Sequence, residues 1–509
     1  MSIGRKRFAI NTVATLVSFL TNIGISFFIV PYIVNIVGSE AYGFVGLSNN
    51  FVSYAAIITI ALSSMISRFV TISIHQNDSI RANKYFNSSL IANIAIAAIL
   101  IVPATLCVFF LDKVVNVPLS ILRDIQILFA FTFLGFFLNI FSSTFATATF
   151  AQNRLDVSST RDIIANIIRI TLLAVLFGFF KPSVSYLGIA TAVTALFVFV
   201  TNYHFMKKYL PDITIDKRFF DFKAIKEMLS SGIWNTITRL SQLLLEGLDL
   251  LIANLAISAT AMGTLAIAKT LPMFIASFIL MFGGIFLPKF TILYAKNNQQ
   301  ELLKSIKNSM KVTNFVVSIP IAILLVFGDV FYSFWMPSQD ANLLKNLSII
   351  IAIGFVFSGS INSIYAVFTI TNKLKINSIF LLISGIINVL IVYILIRTTS
   401  LGVYAIAGVS TVIGIIREVT FLPIYGSKCL GVKWNTFYPE IFKSIISVAA
   451  ITSISYIYRW VFEVDGWGGL ILSGIVCSVI GLVINLYINF NKAERLFLFE
   501  NTLKRLKYR

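Results

Sequence analysis

Long apolar segments follow one another along almost the whole chain and limit what it can fold into. Between polar breaks there are fourteen, and each is long enough to cross a bilayer core that requires about 20 residues per helix. They lie at 11–36, 42–72, 88–111, 125–150, 162–180, 184–206, 231–257, 262–290, 311–331, 346–370, 377–396, 401–424, 442–462 and 467–490. The sequence therefore predicts an all-α polytopic membrane protein with about 14 transmembrane helices.

Charge supports this class and predicts the orientation. Only 12% of the 509 residues are charged, against about 25% in soluble proteins, which excludes a soluble enzyme. A net charge of +19 would suggest nucleic acid in a soluble chain. When Lys289, Lys311 and Lys443 are counted with the loops that they flank, 29 of the 40 basic residues fall in segments that are cytoplasmic if the N-terminus is inside, and six fall in outer segments. Basic residues accumulate in cytoplasmic loops, so we expect a multi-pass cell-membrane protein with both termini in the cytoplasm.

The sequence contains no recognisable catalytic motif. No outer loop is much longer than about 15 residues, so no external domain is available to hold an active site. The three cysteines, Cys107, Cys429 and Cys477, have no metal-ligand spacing. A phosphate-binding P-loop, a zinc-protease motif and a nucleophile elbow are all missing from the sequence. We therefore expect that the protein is not an enzyme. We also expect no cofactor, other than a coupling proton or sodium ion.

A weak internal repeat divides the chain. Four ordered matches lie 224, 220, 219 and 214 residues apart: Asn11-Thr12 with Asn235-Thr236, Ala41 and Gly43 with Ala261 and Gly263, Asn153 to Leu155 with Asn372 to Leu374, and Gly188 with Gly402. Each half has six spans, so the repeat is predicted to be parallel. The predicted domains are an N-terminal six-helix lobe at 1–206, a cytoplasmic linker at 207–230, a C-terminal six-helix lobe at 231–424, and two further helices with a basic tail at 425–509.

Charged residues within the spans are the candidates for function, because a charge inside a bilayer costs several kcal/mol unless it faces a cavity or a partner. The five cations are Arg68, Arg169, Arg239, Lys269 and Arg417, and the three acids are Glu246, Asp249 and Glu418. This surplus of cations favours an anionic cargo. Arginine binds phosphate through two parallel hydrogen bonds, which makes a phosphate or pyrophosphate group the predicted ligand. The alternative for Arg68 and Arg417 is extension of the side chain toward the cytoplasmic interface.

The seventh span carries most of the polar candidates. At about 100° per residue, one face of a helix would hold Asn235, Arg239, Gln242, Glu246 and Asp249. The repeat places neutral groups of the first two spans, Asn22 and Asn49, opposite Glu246 and Lys269 respectively. Glu246 and Asp249 can either carry a coupling ion or neutralise Arg239 and Lys269 without any ligand.

Four segments are similar to those of a known family. They are Gly38 to Leu47 at the start of the second span, Asn153 to Asp156, Ser231 to Asn235, and Leu248 to Asn254. These segments resemble the Wzx-type polysaccharide flippases of the superfamily that also includes the multidrug and toxin extrusion (MATE) exporters and the lipid II flippases. The resemblance implies a two-lobed MATE-like core of twelve helices plus two extra helices.

The resemblance also implies a cargo. This would be an oligosaccharide linked through pyrophosphate to a polyprenol, moved from the inner to the outer leaflet for O-antigen, capsule or other surface polysaccharide. Membrane lipids and other polysaccharide assembly proteins are the implied partners, and nucleic acid is not one. An ion-coupled multidrug exporter of the same superfamily is the alternative, although exporters of cationic drugs would be expected to place acids in spans 1 to 6, which have none away from their ends. A membrane polymerase and a scaffold protein are further possibilities, and loss of transport on Arg239→Ala would separate a transporter from a scaffold.

Overall fold

The computed structural model describes residues 23–24, 27–152 and 154–496, without the side chains of 155 and 282–285. Its helices are α1 Phe27–Ile36, α2 Ser39–His75, α3 Ser79–Phe109, α4 Leu111–Val114, α5 Leu122–Phe145, α6 Thr147–Ala151, α7 Leu155–Phe179, α8 Ser185–Tyr209, α9 Phe222–Gln242, α10 Asp249–Ala256, α11 Ala259–Ala295, α12 Gln299–Trp335, α13 Ala341–Ile370, α14 Leu374–Thr398, α15 Val403–Val419, α16 Phe421–Leu430, α17 Tyr438–Val461 and α18 Gly466–Asn489. No strand occurs in these ranges. The all-α prediction is confirmed.

Twelve of the described helical segments are long and apolar enough to cross a membrane. Each coincides with one of the fourteen predicted spans. The first predicted span lies largely outside the described residues, which contain only its last part as α1. The seventh, predicted as one helix over 231–257, is two helices joined by a π-helical turn at Leu243–Gly247. A count of fourteen is compatible with this arrangement.

Two compact units divide the chain. Unit 1 contains Met1–Ile267 with Leu381–Ile386, and unit 2 contains Ala268–Phe380 with Ile387–Arg509. The predicted lobe boundaries and the parallel repeat stay predictions. The same turn follows three helices: Asn77, Asn297 and Asn372 lie two residues after the ends of α2, α11 and α13, with φ of 58°, 52° and 54°. In each case the next amide donates to the carbonyl five residues before it. Asparagine tolerates this left-handed conformation, which closes a helix.

In unit 1, the segment before α9 is attached to α3 by side-chain amides. The Nδ2 of Asn83 donates to the carbonyl of Asp212 (2.9 Å), and its Oδ1 accepts from the amide of Thr214 (2.9 Å). Asn87, one turn later, bonds Thr214 and Asp216 in the same way (2.8 and 2.9 Å). The two side chains thus bond the backbone of the segment from Asp212 to Asp216 through both its carbonyl and its amide groups. This attachment fixes the start of α9, which begins at Phe222, inside the predicted linker.

In unit 2, α17 and α18 pack against α12 through a buried polar interface. The Nδ2 of Asn314 donates to Asn489 (2.7 Å), and its Oδ1 accepts from Ser444 (2.9 Å). Nearer the end of α12, Asp329 pairs with Arg459 (2.7 Å) and Lys345 (3.1 Å). Polar bonds of this kind hold membrane helices together where the apolar lipid supplies no hydrophobic driving force.

Candidate functional site

The site in unit 1 is built on a close crossing of α2 and α9. Gly232 of α9 is buried against the backbone of Ala61 in α2, where a Cβ would overlap the Ala61 carbonyl group. The two helices can approach this closely only because glycine has no side chain, as in other membrane helix pairs. One turn beyond the crossing on each helix, Asn235 Nδ2 donates to the hydroxyl of Ser64 (3.2 Å). The crossing therefore brings the first polar pair of the site together.

Arginines continue this polar surface along both helices. Arg68 lies one turn after Ser64 on α2, Arg239 lies one turn after Asn235 on α9, and both arginine side chains are exposed. Arg239 Nη1 donates to the neutral Oε1 of Gln242 (3.4 Å). Within the described ranges, neither arginine forms an ion pair. We call Ser64, Arg68, Asn235, Arg239 and Gln242 the cationic strip.

The predicted single polar face of the seventh span ends at the π-helical turn. A π turn uses more residues than an α turn, so an angle of 100° per residue no longer applies beyond Gln242. Glu246 is exposed, whereas Asp249 is only 2% exposed. The expectation that Asp249 shares the face of Arg239 is therefore wrong. The turn is held from α2, where the Tyr54 hydroxyl donates to the carbonyl of Gly247 (2.7 Å).

The other predicted site residues lie in different surroundings. Asn49 is exposed on α2, and its Nδ2 donates to the carbonyl of Val45 in its own helix (2.9 Å). Lys269 is half-buried in α11. Asn22 falls outside the described residues. A role for these three residues in binding substrate stays a prediction.

Of the two remaining arginines, Arg417 is buried in unit 2 and Arg169 is half-buried in unit 1. Arg417, near the end of α15, is 7% exposed and lies 5.6 Å above the ring of Tyr365, whose hydroxyl accepts a bond from its Nη2. Its side chain does not extend to a solvent interface, so that alternative is wrong for Arg417. Arg169, in the middle of α7, has a buried Nε without a hydrogen-bond partner in the described part of the chain.

Sequence reasoning missed three parts of this site. Ser64 carried a signal, because it lies four residues before Arg68 on the same face of α2. Gly232 and Tyr54 had none, since a helix crossing and a carbonyl freed by a π turn depend on neighbours more than 170 residues away. No group of three or more histidine, cysteine, aspartate and glutamate side chains with the spacing of a metal site occurs within 23–24, 27–152 and 154–496.

The fold is that of a class of membrane transport proteins. An inward-facing MATE family multidrug transporter superimposes with a TM-score of 0.66 at 15% identity, covering 81% of this chain and 94% of its own. The lipid II flippase MurJ in an inward closed conformation has a TM-score of 0.61 at 16% identity, covering 94% and 98%. A MOP superfamily transporter from Pyrococcus furiosus has a TM-score of 0.59 at 14% identity, covering 83% and 95%.

Sequence comparison defines the family. The model of the family described as "Polysaccharide biosynthesis protein" matches residues 8–293, which is more than half of the chain. This protein therefore belongs to the polysaccharide biosynthesis protein family. A relative in Bacillus subtilis (strain 168), the uncharacterized membrane protein EpsK, is 28% identical over 489 residues, which are 96% of this chain and 97% of EpsK.

Proposed function

We propose that the protein moves polyprenyl-pyrophosphate-linked oligosaccharides from the inner to the outer leaflet by alternating access, for the synthesis of a surface polysaccharide. Membership of the polysaccharide biosynthesis family supports the pathway. A fold shared with MATE transporters and MurJ supports movement across the membrane. We further propose that both termini lie in the cytoplasm, on the basis of the distribution of Lys and Arg.

The observation that carries this proposal is the cationic strip. Two exposed guanidinium groups, those of Arg68 and Arg239, lie on membrane helices beside neutral hydroxyl and amide groups. Lipid would not tolerate them, because an arginine at the centre of a membrane helix costs about 2.5 to 3.5 kcal/mol or more. We therefore assign this surface to a water-filled cavity. There the arginines would bind pyrophosphate oxygens, and Asn235 and Gln242 would bind hydroxyl or phosphate groups.

Charge also separates this proposal from drug export. For the MOP superfamily transporter from Pyrococcus furiosus, reverse polarity of the binding pocket suggests a different function. By the same reasoning, we take the cations of the strip as favouring an anionic cargo. Glu246 lies in the π-helical turn and Asp249 lies two residues after it. We propose that they respond to a coupling proton or sodium ion, since a turn of this kind is a frequent functional feature of helices.

Reconstitution of the full-length protein tests the proposal. Vesicles of phosphatidylethanolamine and phosphatidylglycerol would carry a fluorescent polyprenyl-pyrophosphate-linked disaccharide in the inner leaflet, and a membrane-impermeant quencher would report its arrival outside. We expect an exposure rate at least tenfold above that of protein-free vesicles. A rate equal to that of protein-free vesicles, together with accumulation of a cationic dye in the same vesicles, would replace the proposal with drug export.

A further inference from the structure

A cavity of about 710 Å³ lies between α1 and α7 in unit 1, apart from the cationic strip. Its walls include Phe28, Ile29 and Tyr32 of α1 and Ile170, Leu173 and Phe177 of α7. The polar atom among these side chains, the Tyr32 hydroxyl, donates to the carbonyl of Phe177 (3.4 Å). The cavity, which we call the α1–α7 groove, is thus apolar and has the size of a ligand site, roughly 300 to 1,000 Å³.

A cation lies at one end of this groove. In a helix, side chains four residues apart lie one above the other, so Arg169 follows the line of Leu173, and Asn166 follows that of Ile170, one turn closer to the start of α7. Arg169 lies between Ala165, which is 8% exposed, and Leu173, which is 1% exposed. It belongs to the buried stripe of α7, and its Nε has no hydrogen-bond partner within the described ranges. The described carboxylates form no ion pair with it.

An apolar groove that leads to a half-buried arginine, whose buried Nε has no partner in the described part of the chain, matches an amphiphile with an anionic head. Burial of an arginine without a partner is costly, and a phosphate would satisfy both its charge and its N–H donors. Asn166 would add a neutral hydrogen-bonding group one turn away. The apolar walls would take a hydrocarbon chain, because burial of apolar atoms needs no polar partner.

The depth of Arg169 in the membrane distinguishes a transported lipid from a resident phospholipid. Within the predicted span 162–180, Arg169 lies seven residues from the first residue and 11 from the last, which is about 10 and 17 Å along the helix. The headgroups of resident phospholipids lie at the two surfaces of a core about 30 Å thick. A phosphate that reaches Arg169 is therefore a phosphate in transit across the membrane.

We infer that the α1–α7 groove binds the polyprenyl chain of the transported lipid, with Arg169 holding its phosphate inside the bilayer core during translocation. This inference rests on the proposed function. It adds a second binding station, distinct from the cationic strip, and gives the hydrocarbon chain a path along the protein. Arg169 acts there as a binding residue for the substrate.

Photolabelling of the full-length protein tests the groove. The probe is a polyprenyl pyrophosphate with a diazirine on its isoprene chain, added to protein in phosphatidylethanolamine nanodiscs, and labelled peptides are mapped. We expect labels on α1 and α7, loss of labelling by unlabelled polyprenyl pyrophosphate, and little competition by the same amount of phosphatidylglycerol. Equal competition by phosphatidylglycerol would make the groove a site for bulk anionic lipid and overturn the inference.

Variants complete the test. A Cβ added at Gly178, which lines the groove, meets no atom within 4 Å, so Gly178→Phe can fold while filling the groove. Gly474→Phe in α18 is the matched control, because that position is open as well. We expect Gly178→Phe and Arg169→Gln to reduce labelling about tenfold at unchanged thermal stability, and Gly474→Phe to leave it unchanged. Unchanged labelling in both groove variants would overturn the inference.

The two proposals fail differently. If the reconstituted protein translocates the fluorescent disaccharide lipid but α7 is not labelled, the groove is wrong and the proposed function stands. If α7 is labelled but no translocation occurs, the groove binds a polyprenyl lipid in a protein that does not transport it. In that case the proposed function fails, and so does the role of Arg169 in transit.

Discussion

Two polar regions lie on membrane helices of this protein, and they differ in whether their charged and polar groups are bonded to other protein groups. At the interface of α12 with α17 and α18, Asn314 bonds Asn489 and Ser444, and Asp329 bonds two cations. Along the cationic strip, Arg68 and Arg239 are exposed with only neutral groups beside them. The first region satisfies its polar atoms with protein partners, so it stabilises a structure. The second leaves charge available for water or a ligand.

The largest expected effect comes from removing the crossing that supports the strip. Gly232→Val would place a branched side chain on the backbone of Ala61, which cannot move without separating α2 from α9. Overpacking of this kind lowers the stability of the folded protein by about 1 to 3 kcal/mol, and by more where the new side chain overlaps the backbone. We expect little folded protein, as measured by yield and by monodispersity in detergent. Gly414→Val is the control, since a Cβ there meets nothing within 4 Å. Normal yield of Gly232→Val would mean that the crossing is not needed.

Neutralising the strip is expected to affect transport without affecting folding. Arg239→Ala would remove the proposed charge-assisted bonds to the substrate, and bonds of this kind are each worth about 1.5 to 3 kcal/mol. We therefore expect the translocation rate in the vesicle assay to fall by roughly ten- to a hundredfold at limiting substrate, since about 1.4 kcal/mol is a factor of ten. The thermal unfolding midpoint should stay the same. Arg239→Lys should retain part of the rate, because lysine keeps the charge but not the bidentate geometry.

The α12 interface should show the reverse pattern. Asn314→Leu removes the donor to Asn489 Oδ1 and one of the two acceptors of the Ser444 hydroxyl, which keeps its bond to Val356. Loss of the partner of a buried polar atom costs about 1 to 3 kcal/mol. We expect a lower unfolding midpoint, with translocation per folded molecule close to that of the unsubstituted protein. Ser453→Ala, on an exposed position of α17, is the control. A loss of translocation at normal stability would give this interface a functional role and break the comparison.

The smallest expected effect is at the end of α18. Burial raises the pKa of Glu494, but the bonds from Lys311 Nζ (2.8 Å) and from the amide of Asn491 outweigh it, so the pKa lies below its usual value. A lowered pKa in the folded state stabilises the protein above the unfolded-state pKa, and this stabilisation is lost as the pH falls through the folded-state value. We expect Glu494→Gln to lower stability by about 1 kcal/mol or less at pH 7.

Measurement of unfolding midpoints at two pH values tests this assignment. The difference between Glu494→Gln and the unsubstituted protein should be present at pH 7 and should shrink below about pH 4, where the carboxylate becomes protonated. A difference that is independent of pH would show that packing of the side chain, and not its charge, is what matters.

Much of the fold was predictable because the bilayer imposes a length on every spanning helix. Twelve of the fourteen predicted spans correspond to long helices in the structure. The seventh span was not predictable in detail, since nothing in the residues from Leu243 to Gly247 indicates a π turn. Asn83 and Asn87 were not among the candidates either, because the segment that they bind lies about 130 residues further along the chain.

The candidate site was predictable in kind but not in arrangement. The surplus of cations within the spans singled out Arg68, Arg169, Arg239, Lys269 and Arg417 as one group. The structure separates them: Arg239 is exposed on the strip, Arg417 is buried against Tyr365, and Arg169 lies beside an apolar groove. Their chemistry was evident from residue type, but the surroundings that decide its use were not.

The sequence by itself determined that the chain is an all-helical membrane protein with surplus positive charge inside its spans. It could do so because the length of an apolar segment and the charge of a residue can be read from the chain without knowing how it folds. Only the tertiary structure decided which polar groups are paired and which are open. Pairing depends on residues brought together from distant helices, as Ser64 with Asn235 and Asn314 with Asn489 demonstrate.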